Sequence, residues 1–459
     1  MNTSQHDLIF LPLGGTGEIG MNMNLYGHDN QWLMVDCGVT FARPGRVCAD
    51  GRIHQSGEPD IQMPNPEFIA RQRESLVGLV ITHAHEDHLG AVPYLWRQLR
   101  CPIYCTRFTA EVLKKKLQEQ GLLAQVALVV VETGERVQMG SFNVEWLAIT
   151  HSVPDANALM IRTTAGNVFH TGDWKLDPQP MVGHHYQAER FQQLAKDGVR
   201  AMICDSTNAD VSGHSASEGD LYDGLRHYIE SASGRVIVAC FGSNIARLLT
   251  LSHIADDCGR YMALYGRSLR TMFQCAKRSH LWPYSAGVVE SNHLGYLPRH
   301  EVLAVATGSQ GEPRTALRRL AAGTHPDFDL DPGDRVIFSA RAIPGNEDSI
   351  AQLISQLQAR GVEVITAEDA ALPIHASGHP SQQELETLYG WIKPEIAIPV
   401  HGERHHLVAH AGLVKSIGIA QTLLGRNGDA YLLAPVPGIR RQQVQTGRLG
   451  WEKGRLRAL

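Results

Sequence analysis

A dense group of metal-ligand side chains constrains the fold of this chain more than any other sequence feature. After the apolar run 76–82 the chain reads His83-Ala84-His85-Glu86-Asp87-His88-Leu89-Gly90. The run is short and rich in β-branched residues, which favours a strand, and the two-residue period of a strand places His83 and His85 on one side. Packing alone does not explain so many polar groups on one loop, because unpaired polar groups are costly to bury. The fold must therefore bring other polar groups to this strand end.

Three other predicted strand ends carry residues of the same chemistry. His151, Asp173 and His401 each follow a short apolar run directly or within two residues. Imidazole and carboxylate are the ligands that a hydrolytic metal ion prefers, and two ions about 3.5–4 Å apart would need all of these groups. We therefore expect these strand ends to meet, whereas a histidine outside them, such as His170 or His227, is expected to be structural.

Short apolar runs separated by turn residues predict strands in the first third of the chain and again after residue 364. The runs are 8–13, 23–26, 32–36, 76–82, 127–132, 144–150, 159–163 and 167–171, followed late in the chain by 397–400, 422–424 and 430–433. Helices are expected at 66–76 and 108–121. The pattern predicts a layered α/β domain.

The middle of the chain has a different rhythm, typical of a parallel sheet flanked by helices. Predicted strands at 236–240, 261–265, 302–306 and 335–339 alternate with helical patterns at 246–254, 268–276 and 313–322. The simplest organisation is one domain interrupted by another. We expect a first domain part at 1–205, an inserted domain at 206–364, a second domain part at 365–447 and a basic tail at 448–459.

Composition excludes several function classes. The 459 residues carry a net charge of −5, so a polyanion must be bound in a local groove rather than by the whole surface. Of the 42 basic residues 33 are arginine, whose planar guanidinium suits phosphate. Eight cysteines without a CxxC pair predict reduced, mostly buried thiols. The longest mostly apolar stretch, 122–131, is about half a membrane span, so we expect a soluble cytoplasmic protein without membrane association.

A glycine pattern near the start resembles a nucleotide-binding fingerprint. Gly15, Gly17 and Gly20 spell GxGxxG, and Asp36 follows sixteen residues later. Only residues 21–26 separate the pattern from the next turn, which is too short for the helix that would hold a pyrophosphate. The pattern therefore predicts a strand–turn–strand start with glycines in tight backbone positions.

The polar strand ends belong to a series of motifs that resembles a known family. Residues 83–88 match the HxHxDH signature of the metallo-β-lactamase superfamily, with Asp36, His151 and Asp173 where its other motifs fall. The remaining motifs are similar to those of the β-CASP nucleases of that superfamily, in their bacterial ribonuclease branch: Cys204-Asp205-Ser206-Thr207-Asn208, Phe241-Gly242-Ser243-Asn244, Gly266-Arg267-Ser268, Thr307-Gly308-Ser309-Gln310-Gly311-Glu312-Pro313, Pro344-Gly345-Asn346-Glu347, His375-Ala376-Ser377-Gly378-His379 and Pro399-Val400-His401-Gly402-Glu403. The series covers nearly the whole chain in order.

The resemblance implies a fold and a metal centre. The fold would be a metallo-β-lactamase αββα sandwich with an inserted β-CASP α/β domain of mostly parallel sheet. One divalent ion would be held by His83, His85 and His151, the other by Asp87, His88 and His401, with Asp173 bridging them. Asp36 would orient a ligand imidazole. The ions would be Zn²⁺, with Mn²⁺ as the alternative, since histidine and aspartate suit both.

The resemblance also implies which groups handle protons and phosphates. His379 would transfer a proton, with Asp205 beside it; the alternatives are a solvent-facing loop histidine and a turn-capping aspartate. Two loops with exposed N–H groups and hydroxyls would bind the phosphates, namely Phe241, Gly242 and Ser243, and His375, Ala376, Ser377, Gly378 and His379. Alternatively, Gly242 and Ser243 only cap the helix predicted at 246–254.

We therefore expect a metal-dependent ribonuclease that degrades single-stranded RNA from 5′ to 3′, with endonuclease activity as an addition, in RNA processing and decay. The alternatives are a DNA-acting β-CASP nuclease and a catalytically silent RNA-binding paralogue. His401 favours RNA because the DNA branch commonly has valine there, and a silent paralogue typically lacks ligands that this chain has. A homodimer and RNA-decay partner proteins are open alternatives. We expect the C-terminal domain that is usual in the family to be absent after Leu459.

Overall fold

The computed structural model describes residues 3–42, 58–283, 285, 287–343 and 345–459. Cys48 and Pro344 lie outside these residues. In chain order, the first part contributes the strands β1 (Leu8–Gly14), β2 (Met23–His28), β3 (Gln31–Val35), β4 (Thr40–Phe41), β5 (Ile61–Pro64), β6 (Leu76–Val80), β7 (Ile103–Cys105), β8 (Leu128–Val130), β9 (Arg136–Met139), β10 (Phe142–Ala148), β11 (Asn157–Thr163), β12 (Gly166–His170) and β13 (Ala201–Asp205). Its helices are α1 (Glu67–Ala70), α2 (Glu86–Leu89), α3 (Val92–Leu99), α4 (Arg107–Glu119) and α5 (Ala188–Lys196).

The middle of the chain alternates helices and strands as predicted. Its elements are α6 (Leu221–Glu230), β14 (Val236–Ala239), α7 (Ile245–Asp257), β15 (Tyr261–Tyr265), α8 (Arg267–Arg278), β16 (Val302–Ala306), α9 (Ala316–Ala321), β17 (Arg335–Phe338), α10 (Glu347–Ala359) and β18 (Glu363–Ile365). The last part adds α11 (Gln382–Ile392), β19 (Ile396–Val400), α12 (Arg404–Ser416), β20 (Gln421–Thr422), β21 (Ala430–Ala434), β22 (Gly438–Arg440), β23 (Arg448–Glu452) and β24 (Arg455–Ala458).

Two large sheets form the centre of the molecule, and both combine strands from the two ends of the chain. One has the order β22-β21-β1-β2-β3-β6-β7-β8 and the other the order β20-β19-β13-β12-β11-β10-β9. Their inner faces share one buried cluster that includes Phe10, Tyr26, Trp146, Ile161 and Ile398. Burial of this apolar surface, worth about 25 cal/mol per Å², holds the two sheets face to face.

Helices cover the outer faces of both sheets. Leu95 of α3 and Phe108 of α4 join the buried cluster behind the first sheet. Phe191 of α5, Leu385 of α11 and Val414 of α12 join the cluster behind the second. The layers run helix, sheet, sheet, helix, which confirms the fold class implied by the resemblance.

A third sheet is built entirely from the middle of the chain. Its order is β15-β16-β14-β17-β18, and every neighbouring pair is parallel. Residues of α6, α7 and α8 pack on one face, and residues of α9 and α10 on the other. The chain leaves the sandwich after β13 and is back in it by α11 and β19. β19 is the parallel neighbour of β13, with Asp205 opposite Val400. The insertion therefore grows out of a junction between two adjacent strands.

Two predictions about local structure are wrong. The helix expected at 66–76 is a single turn, α1, followed by a 3-10 turn at Arg73–Ser75, because its only buried residue is Ile69. The basic tail expected at 448–459 is a hairpin of β23 and β24, with β23 paired to β5. Lys453 and Gly454 both have positive φ, which suits a tight two-residue hairpin turn. The alternation of apolar and polar residues around this turn was a readable strand signal.

The cysteines of the described residues are unpaired thiols, as predicted, and all but the half-buried Cys258 are buried. No helix within the described ranges is long and apolar enough to cross a membrane.

Candidate metal centre

The polar strand ends meet at one edge of the sandwich. Asp36 follows β3, the run 83–88 follows β6, and His151 follows β10. Asp173 follows β12 and His401 follows β19. All seven predicted metal ligands fall into two groups of donor atoms that share Asp173, and within each group the atoms lie within 4.8 Å of one another.

The first donor group consists of His83, His85, His151 and Asp173. Nδ1 of His85 lies 3.2 Å from Nε2 of His83 and 3.0 Å from Nε2 of His151. Oδ2 of Asp173 lies 3.9 Å from the same two Nε2 atoms. Burial lowers the pKa of His85 to about 4 and holds the pKa of His83 and His151 well below the usual range. These imidazoles are therefore neutral, and one ring nitrogen of each faces the same region.

The second donor group consists of Asp87, His88, Asp173 and His401. Nε2 of His88 lies 3.1 Å from Oδ2 of Asp173 and 3.4 Å from Oδ2 of Asp87. Nε2 of His401 lies 3.4 Å and 3.7 Å from the same two oxygens. Because the same oxygen of Asp173 faces both groups, this carboxylate stands where a bridging ligand would be needed.

The donor set fits divalent metal ions. Two ring nitrogens of the first group can form a hydrogen bond only if one of them carries a proton that points at the other. A single cation could instead accept a lone pair from every one of these nitrogens. Burial alone would lower the pKa of His88. The three neighbouring carboxylates of Asp173, Asp87 and Asp36 raise it by more than that, so the pKa lies well above its usual value. That shift reports a strongly negative environment, which attracts cations.

Neighbouring groups fix which ring nitrogen of a ligand faces the centre. Oδ2 of Asp36 lies 2.7 Å from Nδ1 of His88, and Oδ1 of Asp36 accepts the backbone N–H of Thr82 at 2.8 Å. Nδ1 of His151 lies 2.6 Å from the carbonyl oxygen of Gly378, which can only accept a hydrogen bond. A Cβ atom at Gly378 would stand 2.8 Å from Cε1 of His151, so only glycine fits there. Both imidazoles therefore direct Nε2 inward.

His379 and Asp205 form a pair whose donor atoms lie within 4.8 Å of those of Asp173 and His401. Nδ1 of His379 lies 2.7 Å from Oδ2 of Asp205, and its ring centroid lies 5.1 Å from that of His151 and 5.8 Å from that of His401. Burial lowers the pKa of His379, but Asp205, followed by Asp173 and Asp87, raises it to about 9. Oδ1 of Asp205 also accepts from the backbone N–H and hydroxyl of Thr207. Asp205 thus has the turn-capping contact as well as the contact to His379.

The first predicted phosphate loop, Phe241–Ser243, follows β14 of the inserted sheet. A Cβ atom at Gly242 would stand 2.9 Å from Oγ of Ser268, so the backbone passes close to that motif. The cap of α7 is Asn244, whose side chain accepts the N–H of Arg247 at 2.9 Å. The alternative that Gly242 and Ser243 cap this helix is therefore wrong, and Asn244 does so because its side-chain oxygen reaches the first turn.

The second predicted phosphate loop, His375–His379, lies against the metal ligands. Oγ of Ser377 accepts from Nδ2 of Asn208 at 2.8 Å and from the N–H of His379 at 3.2 Å, which leaves its own proton to donate. Nδ1 of His375 has no hydrogen-bond partner among the described residues, and burial lowers the pKa of His375 to about 3. Ala376 of this loop is buried.

A buried arginine that lies outside the sequence motifs links the helix after the first loop to the residue before the second loop. Arg247 donates to both carboxylate oxygens of Glu218 at 3.1 Å, and to the carbonyl oxygens of Ser339 at 3.0 Å and Ile374 at 3.3 Å. Ile374 precedes the second loop, and Arg247 lies in α7 just after the first. The contacts link residues 29, 92 and 127 positions apart, so no local sequence signal could have revealed them.

Comparisons with known proteins agree with this architecture. Residues 31–198 match the beta-lactamase superfamily domain, 233–357 the ribonuclease J beta-CASP domain, and 373–421 the RNA specificity domain of Zn-dependent metallo-hydrolases. A protein of unknown function from Enterococcus faecalis shares the fold, with a TM-score of 0.61 at 13% identity over 93% of this chain and 100% of that one. Fold and site thus define a metallo-β-lactamase superfamily protein with an inserted β-CASP domain, whose His/Asp cluster supports divalent metal binding.

Sequence relatives narrow the class further. A ribonuclease J of Sinorhizobium meliloti is 40% identical over 447 residues, which is 96% of this chain and 77% of the relative. Those of Mycolicibacterium smegmatis and Helicobacter pylori strain B128 are 37% and 35% identical over 91% and 92% of this chain. The chain spans 73% and 60% of their respective lengths. The chain belongs to the ribonuclease J family.

Proposed function

We propose that this protein is a metal-dependent ribonuclease that hydrolyses the phosphodiester bonds of single-stranded RNA, removing nucleotides from the 5′ end and also cutting internally. The observation that carries the proposal is the convergence of seven buried or half-buried imidazole and carboxylate donors beside a loop with a hydroxyl proton left to donate. Family membership supplies the substrate class. We place this activity in the cytoplasm, in RNA processing and decay.

We further propose that this centre binds two divalent metal ions, and that these ions are Zn²⁺. His83, His85 and His151 would hold one, Asp87, His88 and His401 would hold the other, and Asp173 would face both. When bound, such ions activate water at neutral pH and neutralise charge on a phosphate. The domain division that goes with this proposal is 1–205 and 365–447 for the sandwich and 206–364 for the insertion.

In this proposal His379 handles the proton of the leaving 3′-oxygen. Its Nδ1 faces Asp205 at 2.7 Å, so Nε2 is left for the substrate. A pKa of about 9 keeps His379 protonated at neutral pH, which is the form that an acid must have before bond cleavage. Asp205 stabilises that charge and fixes the ring.

Substrate phosphates would lie against Phe241–Ser243 and His375–His379. The hydroxyl of Ser377 and backbone N–H groups supply hydrogen bonds without adding positive charge. Arg247 fixes the separation of the two loops, because it contacts Ile374 from the helix that follows Ser243. A pocket in which backbone N–H groups and hydroxyls enclose one phosphate suits a 5′-monophosphate better than a triphosphate, which adds charge and bulk at the same point.

We expect 5′-monophosphorylated RNA to be degraded to mononucleotides about tenfold faster than the same RNA with a 5′-triphosphate, the equivalent of one charge-assisted hydrogen bond. Substituting Ser243 by tryptophan should remove the difference, while Ser243→Ala should keep it. Binding should weaken by about 0.7 log units per log unit of salt for each phosphate contacted. Gel analysis of 5′- and 3′-labelled RNA measures both rates and products.

The same gels decide between the modes of cleavage. Equal rates on the monophosphorylated and the triphosphorylated RNA, with fragments of intermediate length and no mononucleotides, would show that the protein is an endonuclease rather than an exonuclease. Cleavage of single-stranded DNA at the rate of RNA would contradict the substrate class.

A further inference from the structure

The glycine turn between β1 and β2 is the one early sequence pattern that the proposed function has not used. The structure confirms that it joins two strands rather than opening a helix, and Gly15, Gly17 and Gly20 have φ of 85°, 84° and 99°. These values suit glycine and are strained for other residues. The turn ends at Asn22, whose side chain is only 3% exposed.

This turn lies between the two metal-ligand loops that are furthest apart in sequence. The N–H of His401 donates to the carbonyl oxygen of Gly15 at 2.7 Å, and the N–H of Gly402 donates to that of Glu18 at 3.1 Å. On the other side, the N–H of Asn22 donates to the carbonyl oxygen of Asp87 at 2.9 Å. The turn therefore holds both loops through its backbone.

The side chain of Asn22 makes a matching pair of contacts. Nδ2 lies 3.1 Å from the carbonyl oxygen of Asp87, which can only accept, so the amide orientation is determined. Oδ1 then faces Nδ1 of His401 at 3.0 Å and can only accept its proton. With the proton on Nδ1, the lone pair of His401 is on Nε2, the atom 3.4 Å from Oδ2 of Asp173. Nδ2 of Asn22 also lies 3.1 Å from Nε2 of His88.

We propose that Asn22 is a positioning residue for the second donor group. It holds His401 in the Nδ1–H tautomer and fixes the loop of His401 against the loop of Asp87 and His88, so that an ion meets a preformed site. This rests on the proposed allocation of ligands. Of the seven donors, all within the described residues, Asn22 makes hydrogen-bonding contacts with Asp87, His88 and His401 of the second group. In the first group His151 is oriented by Gly378 instead. Loss of Asn22 should therefore affect one ion and spare the other.

The test is a titration of metal-stripped protein with Zn²⁺ in competition with a chromophoric chelator. The wild type should bind two ions. Asn22→Ala and Asn22→Leu, the second of similar volume and without a cavity, should keep one ion at wild-type affinity and bind the other about 10–100-fold more weakly, the usual cost of losing a group that orients a ligand. Asn22→Asp keeps an acceptor for His401 and should lose less than either.

The matched control is Asn24→Ala. Asn24 is a buried asparagine two residues along the chain whose Oδ1 accepts no hydrogen bond from the described residues. This variant should bind both ions as the wild type does. In metal-free protein, long-range ¹H–¹⁵N spectra should place the proton of His401 on Nδ1 in the wild type and show mixed tautomers in Asn22→Ala.

Several results would overturn the proposal: two ions bound with unchanged affinity in both apolar variants, equal weakening of both ions, or an unchanged tautomer of His401. Failure of both apolar variants to melt cooperatively without metal would also overturn it, because Asn22 would then be needed for the fold itself. A wild type that binds two ions but cleaves no RNA would defeat the proposed function and leave this assignment standing.

Discussion

His83→Ala and Asp87→Ala should each abolish RNA hydrolysis while leaving a folded chain. Each substitution removes a donor from a different group, and a hydrolytic centre that depends on two ions fails when either is lost. The wild type should bind about two divalent ions, and each variant about one. Elemental analysis after gel filtration gives the ion count, and a labelled RNA assay gives the rate.

The matched control for these variants is His227→Ala. His227 is an exposed histidine of α6 in the inserted domain, outside both donor groups, so its loss should leave metal content and rate unchanged. A wild type that holds no metal and keeps its full rate in the presence of a chelator would contradict the metal centre altogether.

His379→Ala should lower the turnover of RNA about 10²–10⁴-fold, the usual contribution of a positioned acid or base. Metal content and RNA binding should stay near wild type, because Nδ1 of His379 faces Asp205 and the two donor groups are complete without it. Single-turnover kinetics with saturating enzyme separates the chemical step from binding.

Asp205→Asn is the informative companion to His379→Ala. The amide keeps a hydrogen-bonding group near His379 but removes the charge that raises its pKa to about 9. It should lower turnover less than His379→Ala, and the double variant should be no slower than His379→Ala alone. An ion lost from His379→Ala, with RNA binding intact, would instead make His379 a ligand and reverse its role with His401.

The metal donors could be predicted from the sequence because they stand at strand ends in recognisable patterns. Strand periodicity and chemistry were enough to expect His83, His151 and Asp173 at one place, and the structure brings them there. The layered fold was readable for the same reason, since both sheets consist of short apolar runs.

The supporting residues could not be predicted, because their partners are distant in sequence. Asn22 touches a ligand 379 positions away, and Arg247 carries a charge that only a three-dimensional neighbour, Glu218, makes tolerable to bury. The sequence predicted a helix at 66–76 that is longer than the single turn α1. The length of a helix is hard to predict when few apolar residues mark its buried face, and here Ile69 is the one buried residue of α1. The final hairpin differs from the predicted basic tail because strand pairing around the turn at Lys453 does not depend on the charge of these residues.

The pairing of β13 with β19 has a consequence for the protein during its own synthesis. A ribosome synthesises the chain from its amino end, so residues up to Asp205 emerge long before Val400, their partner in the sheet. A nascent chain can hold six of the seven donors, yet it lacks His401 and the strand that carries it. The full set of candidate donors can therefore assemble only after the whole inserted domain has been synthesised, because β19 and His401 follow that domain in the chain.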